Sequence, residues 1–146
     1  VAAAMPMSTS GDAPPPLAGT SAPAAPLRCF LVEDNALIRE NLIATLQELL
    51  TVEIVGTAAD EQSAIEWMEA RGGDCDLIII DILLKTGTGF AVLSRAKTLL
   101  PAAKCVVLTN FATPEIRRRC RDLGADAFFD KSAELEQLIE YCAGLS

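Results

Sequence analysis

The chain has no histidine among its 146 residues. That absence removes the commonest general base and the imidazole of nucleophilic triads. It also removes the usual zinc ligand, and the cysteines at 29, 75, 105, 120 and 142 form no C-x-x-C pair. Zinc sites of the usual kinds are therefore not expected, and the odd number of thiols is expected to stay free in a reducing cytoplasm. Basic residues are scarce: 12 Lys and Arg stand against 20 Asp and Glu, for a net charge of −8. Direct nucleic-acid binding is disfavoured, because phosphate contacts need clustered cations. No apolar run approaches membrane-spanning length, so no membrane association is expected. Proline nearly vanishes after residue 26, since six of the eight prolines fall within residues 1–26.

Residues 1–27 read as a disordered Ala/Pro-rich tail. This segment lacks the basic start and continuous apolar run of a secretory signal. The chain starts on Val1 and not on Met, so its natural start is expected elsewhere, at Met5 or upstream. Residues 28–146 suit one compact domain.

That domain alternates. Cys29–Val32 reads as a strand, followed by Leu37, Ile38, Leu42, Leu46, Leu49 and Leu50 at helical spacing. Strands are expected again at 52–57, 76–80, 104–108 and 127–129, each followed by a helical pattern. Asp60, Thr113 and Ser132 are placed to cap helices, with Pro114 at the first helical position of the fourth. Five strands alternating with five helices predict right-handed βαβ units and a parallel sheet covered on both faces. A flavodoxin-like order, 2-1-3-4-5, is one common solution.

Within Leu77–Leu84 a single carboxylate, Asp81, interrupts seven aliphatic residues. An ionised carboxylate is costly in a buried strand, but tolerable at its carboxyl end, where open α/β sheets form their ligand crevice. Other polar residues fall at the same edge: Glu33 and Asp34 after the first strand, Thr109 after the fourth, Lys131 after the fifth. Three carboxylates gathered there repel one another unless a cation bridges them, and hard oxygen donors in an open site suit Mg²⁺. Thr109 and Lys131 suit the oxygens of a phosphoryl group carried by one carboxylate, and aspartate is a known phosphoryl acceptor. Such chemistry needs positioning and charge neutralisation, not an imidazole base.

The motifs Leu31-Val32-Glu33-Asp34-Asn35, Asp81 with Gly89 eight positions on, Leu108-Thr109, and Gly124-Ala125-Asp126-Ala127-Phe128 leading to Lys131 occur in order on the expected elements. Together they resemble a CheY-like response regulator receiver domain of two-component signalling, over about residues 28–145. The resemblance implies the five-stranded 2-1-3-4-5 fold with five helices. It implies a regulatory phosphoacceptor domain, not an enzyme in its own right. Asp81 would accept phosphate from a histidine kinase or phosphotransfer protein. Glu33, Asp34, Asp81 and the backbone carbonyl of Leu83 would hold Mg²⁺. Thr109 and Lys131 would bind the phosphoryl group, and Phe128 with Thr109 would form the switch. It also implies a downstream protein target or an effector domain outside this chain, and leaves room for a phosphorylation-dependent homodimer through the fourth helix, fifth strand and fifth helix. Leu83 and Phe111 occupy positions that tune dephosphorylation in such proteins, and neither can orient water.

Two departures concern loop shape. Lys85 and Ser132 stand where receivers commonly have proline, so the Lys131-Ser132 bond is expected to be trans. Plainer alternatives exist: Phe128 as core packing, Thr109 as an ordinary strand-end residue, and the run Arg117, Arg118, Arg119 and Arg121 as a solvated face or a docking surface. A flavin or nucleotide carrier would need a glycine- or hydroxyl-rich loop after the first strand, where Glu33-Asp34-Asn35 stands. A pseudo-receiver, folded alike but not phosphorylated, is the remaining alternative. The chain stops just after the fifth helix, so it is expected to be a stand-alone receiver or a fragment.

Overall fold

The structure, a computed structural model, describes residues 25–145. Most of the expected tail, residues 1–24, lies outside the described residues. Leu27, grouped with that tail by composition, instead opens the first strand, is buried, and donates its N–H to the Thr51 carbonyl at 3.0 Å.

The strands are β1 (Leu27–Val32), β2 (Val52–Ala58), β3 (Leu77–Ile80), β4 (Lys104–Thr109) and β5 (Ala127–Asp130). The helices are α1 (Ala36–Leu49), α2 (Glu61–Arg71), α3 (Gly89–Leu99), α4 (Pro114–Asp122) and α5 (Leu135–Ala143). The sheet is parallel with order β2-β1-β3-β4-β5, the flavodoxin-like arrangement. The central strand β3 is buried along its whole length, as its unbroken aliphatic run requires.

Alternate residues of each strand feed two separate cores. Phe30, Ile78, Ile80 and Val107 pack with Met68, Leu93 and Cys120 of α2, α3 and α4. Leu31, Leu77, Ile79 and Val106 pack with Leu42 and Leu46 of α1 and Leu138 of α5. All five cysteines are buried and free, Cys75, Cys105 and Cys120 in the first core and Cys29 and Cys142 in the second.

The β1–β2 register shifts between Cys29, opposite Ile54, and Phe30, opposite Gly56. Gly56 is required there, because a Cβ would lie 2.3 Å from Trp67 Nε1. Trp67 in turn stacks on Phe30, with ring centroids 4.0 Å apart.

Several local expectations are corrected. On α1 only Leu42 and Leu46 are fully buried, while Leu37 is 66% and Leu49 58% exposed. Leu37 stands about 140° round the helix from Leu42 and faces away. Leu49 shares the face of Leu42 but sits in the last turn. Ser132 does not cap α5. Asp130 Oδ1 takes both the Ser132 amide, at 2.8 Å, and its hydroxyl, at 2.6 Å, so the helix starts later, with Glu134 at the cap position. Asp60 and Thr113 do cap α2 and α4. Among the described residues no peptide bond is cis, Lys131-Ser132 included.

Candidate functional site

The β1–β3 register sets Val32 opposite Ile80, so the residues that follow, Glu33 and Asp81, emerge side by side at the carboxyl edge. The Asp81 N–H donates to the Val32 carbonyl and the Glu33 N–H to the Ala58 carbonyl, each at 3.0 Å. Glu33 and Asp81 are buried at 2% and 7% exposure, and Asp34 is half-buried. One carboxylate oxygen from each of the three lies within 4.8 Å of the others. The Asp34 carboxylate has no hydrogen-bonding or ionic partner among the described residues.

Lys131 enters from the end of β5, where its N–H continues the ladder to the Thr109 carbonyl at 3.0 Å. Its Nζ donates to Asp81 Oδ2 at 2.9 Å and also to Glu33 Oε1. Burial pushes the Glu33 carboxyl up, against the opposing pull of Lys131 and of the Asn35 N–H. Burial also works against the Lys131 ammonium, but its bonds to Glu33 and Asp81 outweigh that, and its pKa is raised. Three carboxylates against one ammonium leave a formal excess of two negative charges. An all-oxygen donor set with that excess fits a hard divalent cation such as Mg²⁺.

The strand-end chain beyond Asp81 is tightly constrained. Gly89 opens α3 directly against it, where a Cβ would lie 2.1 Å from the Asp81 carbonyl oxygen. Thr88 caps α3, bridges back to Leu83, and donates its N–H to Glu61 Oε1 at 2.9 Å. The Glu61 N–H holds the Thr86 carbonyl at 3.2 Å. Leu83, 48% exposed, directs its N–H at Asp81 Oδ1, 3.4 Å away.

Thr109 is fully buried, and its hydroxyl accepts the Phe111 N–H at 3.3 Å. The geometry thus gathers Glu33, Asp34, Asp81 and Lys131, with Thr109 one strand away. Phe128 is not in this cluster. It sits in β5 opposite Val107, half-buried against the core under α2, α3 and α4. Asn35 and Arg39 were not anticipated as site residues. Asn35 caps α1 by accepting the Ile38 N–H at 3.0 Å, a role its residue type could have signalled. Arg39 Nη1 donates to the Glu33 carbonyl at 2.6 Å, reaching six residues back along the chain, a contact with no sequence signal.

Residues 29–143 match the response regulator receiver domain family. The transcriptional regulatory protein PdtaR of Mycobacterium tuberculosis is 38% identical over 118 residues, covering 80% of this chain and 55% of its own. The chain spans about half the length of the curated relatives it matches. Among solved structures, a CheY-like receiver domain protein from Methanospirillum hungatei is 26% identical with a TM-score of 0.69, over 81% of this chain and 91% of that one. The receiver domain of the response regulator NarL from Mycobacterium tuberculosis shares the fold, with TM-score 0.72 at 22% identity over 83% and 98% of the two chains. With sheet order, acidic edge and family match in agreement, this chain belongs to the response regulator receiver domains of two-component signal transduction.

Proposed function

We propose that the domain is a phosphorylation switch in which Asp81 accepts a phosphoryl group from a histidine kinase or phosphotransfer protein. A carboxylate oxygen of Asp81 forms the new P–O bond as the P–N bond of the donor phosphohistidine breaks, leaving an acyl phosphate. Glu33, Asp34, Asp81 and the Leu83 carbonyl are the proposed Mg²⁺ ligands. The ion, when bound, neutralises phosphoryl oxygens. Lys131, at 2.9 Å from Asp81, is placed to follow a phosphoryl oxygen, and Thr109 lies at the adjoining strand end. The observation that carries this reading is the convergence of three carboxylates and one buried lysine at a single strand edge.

The output is a change at the face bearing Thr109 and Phe128, read by a downstream protein or an effector domain outside this chain. A homodimer through α4, β5 and α5 is one form that output takes in this proposal. The cytoplasm is the proposed location. Among the described residues no helix is long and apolar enough to cross a membrane.

Incubation with acetyl phosphate and Mg²⁺, read by mass spectrometry, tests the reading. The wild type should gain one phosphoryl group and Asp81→Asn none, with its fold intact by circular dichroism. A wild type that gains none would be a pseudo-receiver, and the proposal fails.

A further inference from the structure

We propose that Arg39 is a positioning residue of the acidic site: by gripping the Glu33 carbonyl it fixes the peptide plane that joins two of the three carboxylate-bearing residues. The inference rests on the metal-site reading above and extends it to a residue outside the ligand set.

The ladder of β1 stops at Val32, paired with Ala58 on one side and Ile80 on the other. The next carbonyl, that of Glu33, has no strand to meet. Arg39 Nη1, reaching back from α1, donates to it at 2.6 Å. The neighbouring groups are held by other means. The Glu33 N–H goes to Ala58, the Asn35 N–H to Glu33 Oε2 at 3.1 Å, and the Asn35 carbonyl to the Arg39 N–H at 2.9 Å. Arg39 therefore bonds the turn twice, through its backbone to Asn35 and through its guanidinium to Glu33.

The consequence falls on Asp34. The Glu33–Asp34 peptide is planar, so holding its carbonyl fixes the Asp34 nitrogen and Cα together. Lys131 holds the Glu33 and Asp81 side chains, but Asp34 has no such restraint. The aim of its carboxylate depends on the backbone, and a rigid divalent site tolerates little misplacement. Asn35 already caps α1, so starting the helix does not require Arg39.

Positioning and charge make opposite predictions. As a point charge, Arg39 repels a second cation, and its removal should tighten Mg²⁺ binding. As a positioning residue, its removal should weaken binding. The full chain, stripped with EDTA, is titrated with MgCl₂ while the melting temperature is followed, for wild type, Arg39→Met and Arg39→Lys. The expected result is that Arg39→Met needs about tenfold more Mg²⁺ than wild type for an equal rise in melting temperature, a loss of about 1.4 kcal/mol. Arg39→Lys, which keeps a donor, should fall between the two, and serves alone if the Met variant does not fold. A Mg²⁺ requirement for either variant equal to or below that of wild type overturns the inference while leaving the metal site standing. A wild type that gains no stability from Mg²⁺ overturns the metal reading and this inference with it.

Discussion

The guanidinium of Arg117 lies 4.7 Å over the ring of Phe128. The same group donates from Nη2 to Glu134 Oε1 at 2.8 Å, and that oxygen also accepts the Asp130 N–H at 2.9 Å. One side chain of α4 thus ties down the ring of β5 and the start of α5. If Phe128 turns during switching, this clasp holds the unphosphorylated arrangement. Arg117→Ala should cost about 0.5–1 kcal/mol of stability, the scale of an exposed cation–π contact. It should also speed phosphorylation by acetyl phosphate severalfold. The same stability loss with an unchanged rate would make the contact a surface pairing without a switching role.

Gly89→Ala should damage the site from outside it. The added Cβ would meet the Asp81 carbonyl oxygen at 2.1 Å and the Ile82 Cα at 2.6 Å, both backbone atoms that cannot rotate away. Overpacking of this kind costs about 1–3 kcal/mol, or about 3–10 °C in melting temperature for a domain of this size. Phosphorylation should slow at least tenfold, because the strain falls on Asp81, the proposed acceptor. Differential scanning calorimetry and a phosphorylation time course check both parts.

The acyl phosphate should be long-lived. Leu83 and Phe111, each 48% exposed, follow Asp81 and Thr109 by two residues and offer no group to orient water. Asn110 lines a groove with Ile38, Leu135 and Lys131. Leu83→Asn and Phe111→Lys should speed loss of phosphate severalfold, a barrier change of about 1 kcal/mol. Unchanged half-lives in both variants would rule out water exclusion by these side chains.

The Arg28–Asp76 pair should make stability depend on pH in the acid range. Asp76 accepts from Arg28 Nε and Nη2, each at 3.0 Å, and from the Arg28 N–H at 2.9 Å. The Arg28 side chain holds the Asp76 carboxyl below its ordinary value of 3.8, burial opposing. A folded-state value below the unfolded one means stability present above pH 3.8 and lost as pH falls through the folded value. Asp76→Asn should lower the melting temperature at pH 7 by about 2–5 °C, allowing for the solvent that reaches the pair. The gap to wild type should close as pH drops below 3.8. A gap that stays constant to pH 3 would show that the lost contact is not electrostatic.

The sheet and the acidic edge were legible because their signals are local. β3 announces itself through its aliphatic run, and Glu33, Asp81, Thr109 and Lys131 each stand at or just after the end of a strand. What stayed hidden depends on contacts between distant segments or on axial position. Glu61 holding Thr86 and Thr88 follows from how elements dock, which periodicity does not encode, and Arg39 reaching back six residues to a carbonyl depends on a side-chain rotamer that it does not encode either. Leu49 shows the limit of a helical stripe: its angle is right, but the helix end overhangs. Ser132, read as the cap of α5, instead donates its N–H and its hydroxyl to Asp130 two residues earlier, and the helix starts only at Leu135.

The five buried thiols turn the two cores into separately addressable reporters. Burial pushes Cys75, Cys120 and Cys142 up to about 11 and Cys105 to about 12, so almost none is thiolate at neutral pH. Alkylation of the native chain must therefore wait for opening. Cys29 and Cys142 record events between the sheet and α1/α5, whereas Cys75, Cys105 and Cys120 record those on the opposite side. Peptide-resolved labelling rates would show whether the two halves of the sandwich breathe together or one at a time, without any engineered probe.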